Sequence, residues 1–266
     1  MVRISDSEFG QFQRFIFEAA GITLGNAKKA LVSGRLAKRL HACKVSNYGE
    51  YFRVLTSGNA AELQIAIDLL TTNETYFFRE PKHFQFLSQQ IAAGAFRTSS
   101  LRVWSAAGST GEEAYSIAML LEDLLTGQPW EVVASDISSR VLERARAGHY
   151  SMGRIDNFPP GYLQRFCLKG RDEQAGTMLI QRALRSKVRF LQVNLNAALP
   201  HLGMFDVVFL RNVLIYFNNE TKRKVVARVL NALKPGGYLF IGHSESLIDV
   251  SEAVDLVAPA IYRKAS

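Results

Sequence analysis

The chain of 266 residues is 48% hydrophobic, 21% charged and 11% aromatic, which excludes a disordered or fibrous protein and fits one large domain or an ordinary domain with a small one. Its 32 Lys and Arg against 24 Asp and Glu leave +8, favouring an anionic partner without choosing among nucleic acid, a membrane surface and an acidic protein. No apolar run approaches the roughly 18 residues of a membrane span, no secretory signal is visible in MVRISDSEF, and Cys43 and Cys167 are too few for a disulfide framework, so a reducing cytoplasm is the expected home.

Helical spacing dominates the first 70 or so residues. Phe9, Phe12, Phe15 and Ile16 form one set and Val32, Leu36, Leu40 and Cys43 a second. Tyr48, Tyr51, Phe52 and Leu55 form a third, and Leu63, Ile65, Ile67, Leu69 and Leu70 follow. Three or four short helices in a small bundle are expected. No acid occurs between Glu18 and Glu50, whereas Lys28, Lys29, Arg35, Lys38, Arg39 and Lys44 do. The spacing predicts that Lys28, Arg35 and Arg39 share one helix face opposite the apolar stripe, either a solvated face or a docking face for an acidic helix or polyanion.

Beyond about residue 98 the pattern alternates. Strands are predicted at Leu101–Ser105, Trp130–Ser135, Val188–Val193, Phe205–Leu210, Tyr238–Gly242 and Ala260–Arg263, and helices at Glu112–Leu125, Ser138–Ala147 and Glu220–Leu233. Such alternation implies an α/β fold with a doubly wound parallel sheet. Residues 150 to 190 break the rhythm with Pro159, Pro160, Gly161, Gly170 and Gly176, and an inserted β-subdomain with a small hairpin is expected there. The segment from Leu233 to Leu239 reads as helix, tight turn, strand.

The first strand runs into Ala106-Ala107-Gly108-Ser109-Thr110-Gly111, a spacing shared by NAD, FAD and S-adenosylmethionine sites and by many ordinary turns. Glu112 and Glu113 then occupy the first helical turn, where a pyrophosphate would otherwise sit. Two carboxylates there disfavour pyrophosphate and suit a ligand carrying ammonium and sulfonium charges. The second strand ends in Asp136, placed to accept from ribose hydroxyls or to start the next helix. The later strands end in Asn194-Leu195, whose amide is placed to read an adenine edge, and in Arg211-Asn212. Polar residues at the carboxyl ends of four strands mark a ligand crevice.

Thr72–Glu80 (TNETYFFRE), Ala106–Ser116 (AAGSTGEEAYS), Ser135–Ser138 (SDIS), Leu210–Phe217 (LRNVLIYF) and Leu233–Glu245 (LKPGGYLFIGHSE) together resemble bacterial chemotaxis methyltransferases of the CheR type, and the resemblance covers nearly the whole chain. It implies an all-helical N-terminal domain over residues 1–71 and a linker over 72–98. A class I, Rossmann-like S-adenosylmethionine-dependent methyltransferase domain over 99–266, carrying the insert, completes the implied architecture. The implied activity is protein-glutamate O-methylation of chemoreceptors, with S-adenosylhomocysteine as product and no metal. By motif, Asn73, Thr75 and Arg79 look like linker contacts to the cofactor, Glu113 like the residue near its methionine part and Asp136 like the ribose acceptor. Asn194, Leu195, Arg211 and Asn212 match contacts around the adenosyl group. Arg79 and Tyr216 resemble residues beside the methyl group and the acceptor carboxylate. Gly108 departs from a cysteine found in many relatives.

The implied partner is the cytoplasmic helical bundle of transmembrane receptors, docked on Lys28, Arg35, Lys38 and Arg39, with a receptor C-terminal peptide as an optional tether on the insert. A cytoplasmic monomer recruited to receptor arrays and not binding nucleic acid is expected. A nucleic-acid methyltransferase is the rival suggested by +8, but the fourth strand is followed by Arg211-Asn212-Val213-Leu214, not the Asn/Asp-Pro-Pro-aromatic loop of exocyclic-amine enzymes. A non-catalytic S-adenosylmethionine-binding adaptor is the other. His243, the tempting general base, is assigned packing or hydrogen bonding, because an ionised carboxylate nucleophile needs no base.

Overall fold

The computed structural model describes residues 2–96 and 98–265. Up to residue 70 the chain forms α1 (Asp6–Ala20), α2 (Lys29–Ala42), α3 (Tyr48–Thr56) and α4 (Ala60–Leu70). Helix α1 opens on a capping box in which Ser5 Oγ accepts from Glu8 N while the Glu8 carboxylate accepts from Ser5 N. The predicted stripes close the interior: Phe12, Ile16, Val32, Leu36, Tyr48, Tyr51 and Leu55 are buried, with the Phe12 ring edge-on to Tyr48 and Phe52.

The basic residues do not share one face opposite that stripe. Lys28 belongs to a 3-10 turn, Asn26–Lys28, ahead of α2. Arg39 turns towards α4, where its Nη2 and Nε lie 2.6 and 2.9 Å from the buried Glu62 carboxylate. Arg35 reaches the end of α4 and donates to Leu70 O, Thr71 O and Thr72 Oγ1. The orphan carbonyls of a helix terminus and a buried acid draw in cations that spacing alone assigns to solvent. Lys28 and Lys38 stay exposed.

The segment expected only as a linker carries α5 (Pro81–Ala92), started by Pro81 in the first turn. The alternating region then runs β1 (Leu101–Ser105), α6 (Glu112–Leu124), β2 (Trp130–Asp136) and α7 (Ser139–Ala147). An insert follows with β3 (His149–Ser151), α8 (Tyr162–Phe166), β4 (Cys167–Lys169), β5 (Thr177–Ile180) and α9 (Arg182–Arg185). The chain returns through β6 (Val188–Gln192), β7 (Phe205–Leu210), α10 (Asn219–Asn231), β8 (Leu233–Ile241), β9 (Val254–Ala258) and β10 (Ile261–Lys264).

The main sheet has the order β6-β2-β1-β7-β8-β10-β9, parallel as far as β8. It is not parallel throughout: β10 runs antiparallel to both β8 and β9. The short strand β9, three of whose five residues face solvent, is an edge that the alternation does not mark. The insert is a three-stranded antiparallel sheet, β3-β5-β4, where a hairpin was expected. Pro235 and Gly236 lie within β8 at a register shift against β7, so helix α10 stops at Asn231 and no separate turn precedes the strand.

Alternation along the strands makes two cores. Trp104, Val208 and Leu239 face α10 and the helical bundle, while Val103, Phe209 and Phe240 face α5, α6 and the insert. The Phe209 and Phe240 rings stack 4.5 Å apart on the second side. Several ties join the bundle to the carboxyl edge of the sheet. The Asp68 carboxylate, at the end of α4, accepts from Ser139 N and Oγ and from Arg140 N, so it caps α7. Gln64 donates to Ile137 O, Asn194 Nδ2 donates to Ala19 O at 2.7 Å, and Ile22 bridges to Phe217.

Candidate active site

Strand β1 is where the sheet order reverses, with β2 on one side and β7 on the other, and ligands of open α/β sheets lie at such points. A partly open cavity occupies this position, lined on the bundle side by Ala20 and Ile22. Asn73, Thr75, Arg79, Glu113, Asp136, Asn194, Leu195, Arg211, Asn212 and Tyr216 all line it. The docking residues lie apart from it, except that Arg35 meets its rim through Thr72.

The loop after β1 brings backbone close to the cavity. Gly108 N donates to Ser135 O, and Ser109, with φ of 49°, donates its N–H to Asp136 Oδ2 at 3.0 Å. Gly111 has φ of 95°, and a Cβ there would stand 2.8 Å from the Tyr150 hydroxyl and 2.9 Å from Ala145 Cβ, so only glycine fits. Ser109 Oγ donates to Asn73 O, fastening the linker over the loop.

Asp136 sits at the end of β2, accepting also from Ser138 N at 2.9 Å. Burial pushes its carboxyl up to about 6, against the pull of these backbone N–H groups. The two acids of the α6 first turn part company. Glu112 is buried outside the cavity and accepts from Thr110 Oγ1 at 2.6 Å. Glu113 reaches the cavity, accepting from Ser105 Oγ at 2.6 Å, with Arg211 Nη1 3.2 Å away. Burial raises the Glu113 carboxyl above the ordinary carboxylate range, opposed by Arg211.

Arg211, whose side chain is 1% exposed, is the hub. Its Nη2 donates to Arg79 O at 2.5 Å and stands 3.2 Å from Glu80 Oε2. Burial favours the neutral Glu80 carboxyl, yet Arg211, the Asn212 amide and the His243 N–H hold it below its usual range. Arg79 donates to the Glu74 carbonyl at 2.9 Å, and the Glu80 carboxylate pairs with Arg211. Burial pushes the Tyr216 phenol up, against Arg79 and Arg35, so it stays a neutral donor.

Asn194 lines the cavity with its amide anchored at both ends: Nδ2 donates to Ala19 O and Oδ1 accepts from Asn196 N. Leu195, Val193 and Ile137 make that wall apolar. Sequence reasoning missed Glu80 and Glu245 as site builders. Glu245 Oε2 accepts from Asn212 N and Gly242 N and Oε1 from Ile215 N, which shapes the loop after β7. Phe78, Glu80, Ser109 and Asn212 all have positive φ near the cavity, strain of the kind that gathers at functional sites. Two largely enclosed acids, an apolar slot and a close-approaching backbone suit a nucleoside ligand with cationic groups.

The CheR methyltransferase SAM-binding domain model matches residues 73–262, and the CheR all-alpha domain model matches residues 7–71. A chemotaxis protein methyltransferase of Escherichia coli strain K12 is 40% identical over 265 residues, spanning 97% of this chain and 91% of that protein. Chemotaxis protein methyltransferase 2 of Pseudomonas aeruginosa is 38% identical over 261 residues, spanning 97% and 93%. Among solved structures, the glycopeptide N-methyltransferase MtfA complexed with S-adenosylmethionine aligns with a TM-score of 0.37 at 19% identity over 67% of this chain and 65% of that one. Among the described residues no helix is long and apolar enough to cross a membrane.

Proposed function

The chain belongs to the CheR methyltransferase family, S-adenosylmethionine-dependent enzymes of chemotaxis, and on that premise we propose that it methylates glutamate side chains of chemoreceptors. The observation that carries this reading is that one cavity is lined by the acids Asp136 and Glu113 together with Arg79 and Tyr216. Bound there, S-adenosylmethionine supplies an electrophilic methyl group. Asp136 holds the ribose hydroxyls, Glu113 faces the methionine part, and Asn73, Thr75, Leu195 and Asn212 enclose the adenosyl group. Arg211 keeps Glu113 and the Arg79 backbone in register.

A glutamate of pKa about 4.3 is already ionised at neutral pH, so the chain has no proton to remove from it. Arg79 positions the carboxylate by charge-assisted hydrogen bonds and Tyr216 donates to one oxygen. A tight grip on the ionised ground state would lower nucleophilicity, because charge is lost on the way to the ester. Arg79 therefore aligns the carboxylate and does not activate it. Alignment and exclusion of water supply several kcal/mol, with about 7–11 as the outer range.

The test offers radiolabelled S-adenosylmethionine to receptor cytoplasmic fragments and to RNA. The expected result is label in the receptor that mild base releases as methanol. Label in RNA, or base-stable label in protein, overturns the reading. Lys28 and Lys38, exposed on the helical bundle, are proposed as the docking charges, while Arg35 and Arg39 are engaged within the scaffold. Reversing both lysines to glutamate is expected to weaken receptor methylation and flatten its salt dependence while donor affinity stays unchanged. Equal loss of donor affinity sinks the docking role. In the insert, β4 is an edge strand with Leu168 exposed, a place where a receptor tail would add as a further strand.

The raised Asp136 carboxyl makes donor binding pH-dependent. Above about pH 6 it is ionised and accepts from both ribose hydroxyls; as pH falls through 6 protonation takes one acceptor away. Donor affinity measured by calorimetry is expected to fall severalfold from pH 8 to 5.5. A flat profile contradicts the assignment.

A further inference from the structure

Glu80, His83 and His243 meet behind the crevice, and the reaction uses none of them directly. Glu80 sits at the left-handed start of α5 with φ of 59°, His83 lies one turn on, and His243 is on the loop after β8. One ligand atom from each lies within 4.8 Å of the others. His83 Nδ1 is 3.4 Å from Glu80 Oε2, and His243 Nε2 is 3.9 Å from the same oxygen. Neither distance is a hydrogen bond.

The His83 side chain is 1% exposed, and both its ring nitrogens are buried without a hydrogen-bond partner, as is Glu80 Oε2. Pro259 O faces the ring without meeting hydrogen-bond geometry. An imidazole always carries two polar nitrogens, and native interiors rarely leave both unsatisfied. An imidazole nitrogen 3.4 Å from a carboxylate oxygen with no hydrogen bond between them stands about a tetrahedral edge away, roughly 3.4 Å for metal bonds near 2.1 Å, and a shared cation resolves that contact.

The geometry points to a site for one zinc-class divalent cation held by Glu80, His83 and His243, with a fourth position open to water. Two imidazoles and a carboxylate favour such a metal over magnesium or calcium, which prefer all-oxygen shells. A cavity of about 1000 Å³ lined by His83, His243, Glu245 and Pro259 gives the ion a route from solvent. Ring rotation of the 45% exposed His243 closes its distance. Arg211 opposes the ion, since its Nη2 lies 3.2 Å from Glu80 Oε2, but Glu113 offers that guanidinium an alternative partner. The site departs from the expectation of no metal. Its ligands come from a helix start and a loop 160 residues further on, a spacing no motif marks. The cation's role is to pin the start of α5 to the loop after β8, and no step of methyl transfer passes through it.

The experiment titrates zinc into the tag-free, full chain by calorimetry and follows cobalt by its visible absorption. Expected are one equivalent bound, a cobalt band of tetrahedral type and a raised thermal midpoint. His243→Ala, at an exposed ring, is expected to fold and to weaken zinc at least about tenfold. His83→Gln tests the buried ligand by the same readouts. Absence of stoichiometric binding, or equal affinity in His243→Ala, overturns the site, as does equal stabilisation by magnesium. None of these outcomes depends on methyl transfer, so they stand apart from the fate of the proposed activity.

Discussion

Arg211→Ala is expected to destabilise the fold by about 3–5 kcal/mol and to lower the thermal midpoint by about 10 °C. The guanidinium is enclosed and stands 3.2 Å from Glu80 on one side and 3.2 Å from Glu113 on the other. Without it two carboxylates face one another in a buried space with no cation between them. Both respond by taking up protons: Glu80 loses the pull that holds it below the unfolded value of about 4.3, and Glu113, already raised by burial, rises further. A raised carboxyl pKa means that the folded form binds more protons, so the variant gains stability as pH falls from 8 towards 5. Calorimetric unfolding at pH 8 and 5.5 should show the deficit shrinking at the lower value. Adding Glu113→Gln to the variant should recover part of the loss, a coupling that two independent sites would not show. Parent-like melting at both pH values removes Arg211 from the centre of this network. Lysine is a poor substitute, because one ammonium cannot serve Glu113, Glu80 and the Arg79 carbonyl together.

Arg79→Ala is expected to do the opposite: leave the fold standing and lower turnover by more than about tenfold. Its side chain is half-buried and donates only to the Glu74 carbonyl among the described hydrogen bonds, with the guanidinium 5.7 Å from the Tyr76 ring centroid. The groups that depend on residue 79 structurally depend on its backbone, since Arg211 bonds its carbonyl, and alanine keeps that carbonyl. Single-turnover methylation with saturating donor isolates the alignment step, while product calorimetry and thermal melting check that cavity and fold persist. Near-normal turnover would refute the assigned positioning role.

The strand and helix periods of the α/β region, and the helices of the bundle, were legible because burial on one face imposes a repeat that nothing else in a sequence mimics. Boundaries such as Leu101–Ser105 and Phe205–Leu210 coincide with the observed strands. Strand β9 escaped because Asp255, Leu256 and Val257 all face solvent and leave no alternation to read. Helix α5 follows directly on a motif that reads as chemistry first. The charged residues misled in both directions. Arg35 and Arg39 look like surface charge at helical spacing but are claimed by Glu62 and by the end of α4, partners about 23 to 37 positions away. Glu80 and Glu245 carry no periodic signal and become visible only when folding brings Arg211 and the Gly242 N–H group to them. Residues whose role is set by distant partners cannot be read from spacing, whereas residues fixed by the strand ends can.

The carboxylate of Asp68 lends the start of α7 acceptors that α7's own preceding residues do not provide, and the Ala19 carbonyl does the same for the Asn194 amide. Exchanging the first seventy residues for those of a relative is therefore more than swapping a recognition module. A graft lacking an acid at position 68 leaves unpaired amides beside the nucleoside wall, and one with a shifted α1 terminus frees an amide into it. The helical bundle and the wall of the crevice in this architecture share one seam, so neither can drift far without the other.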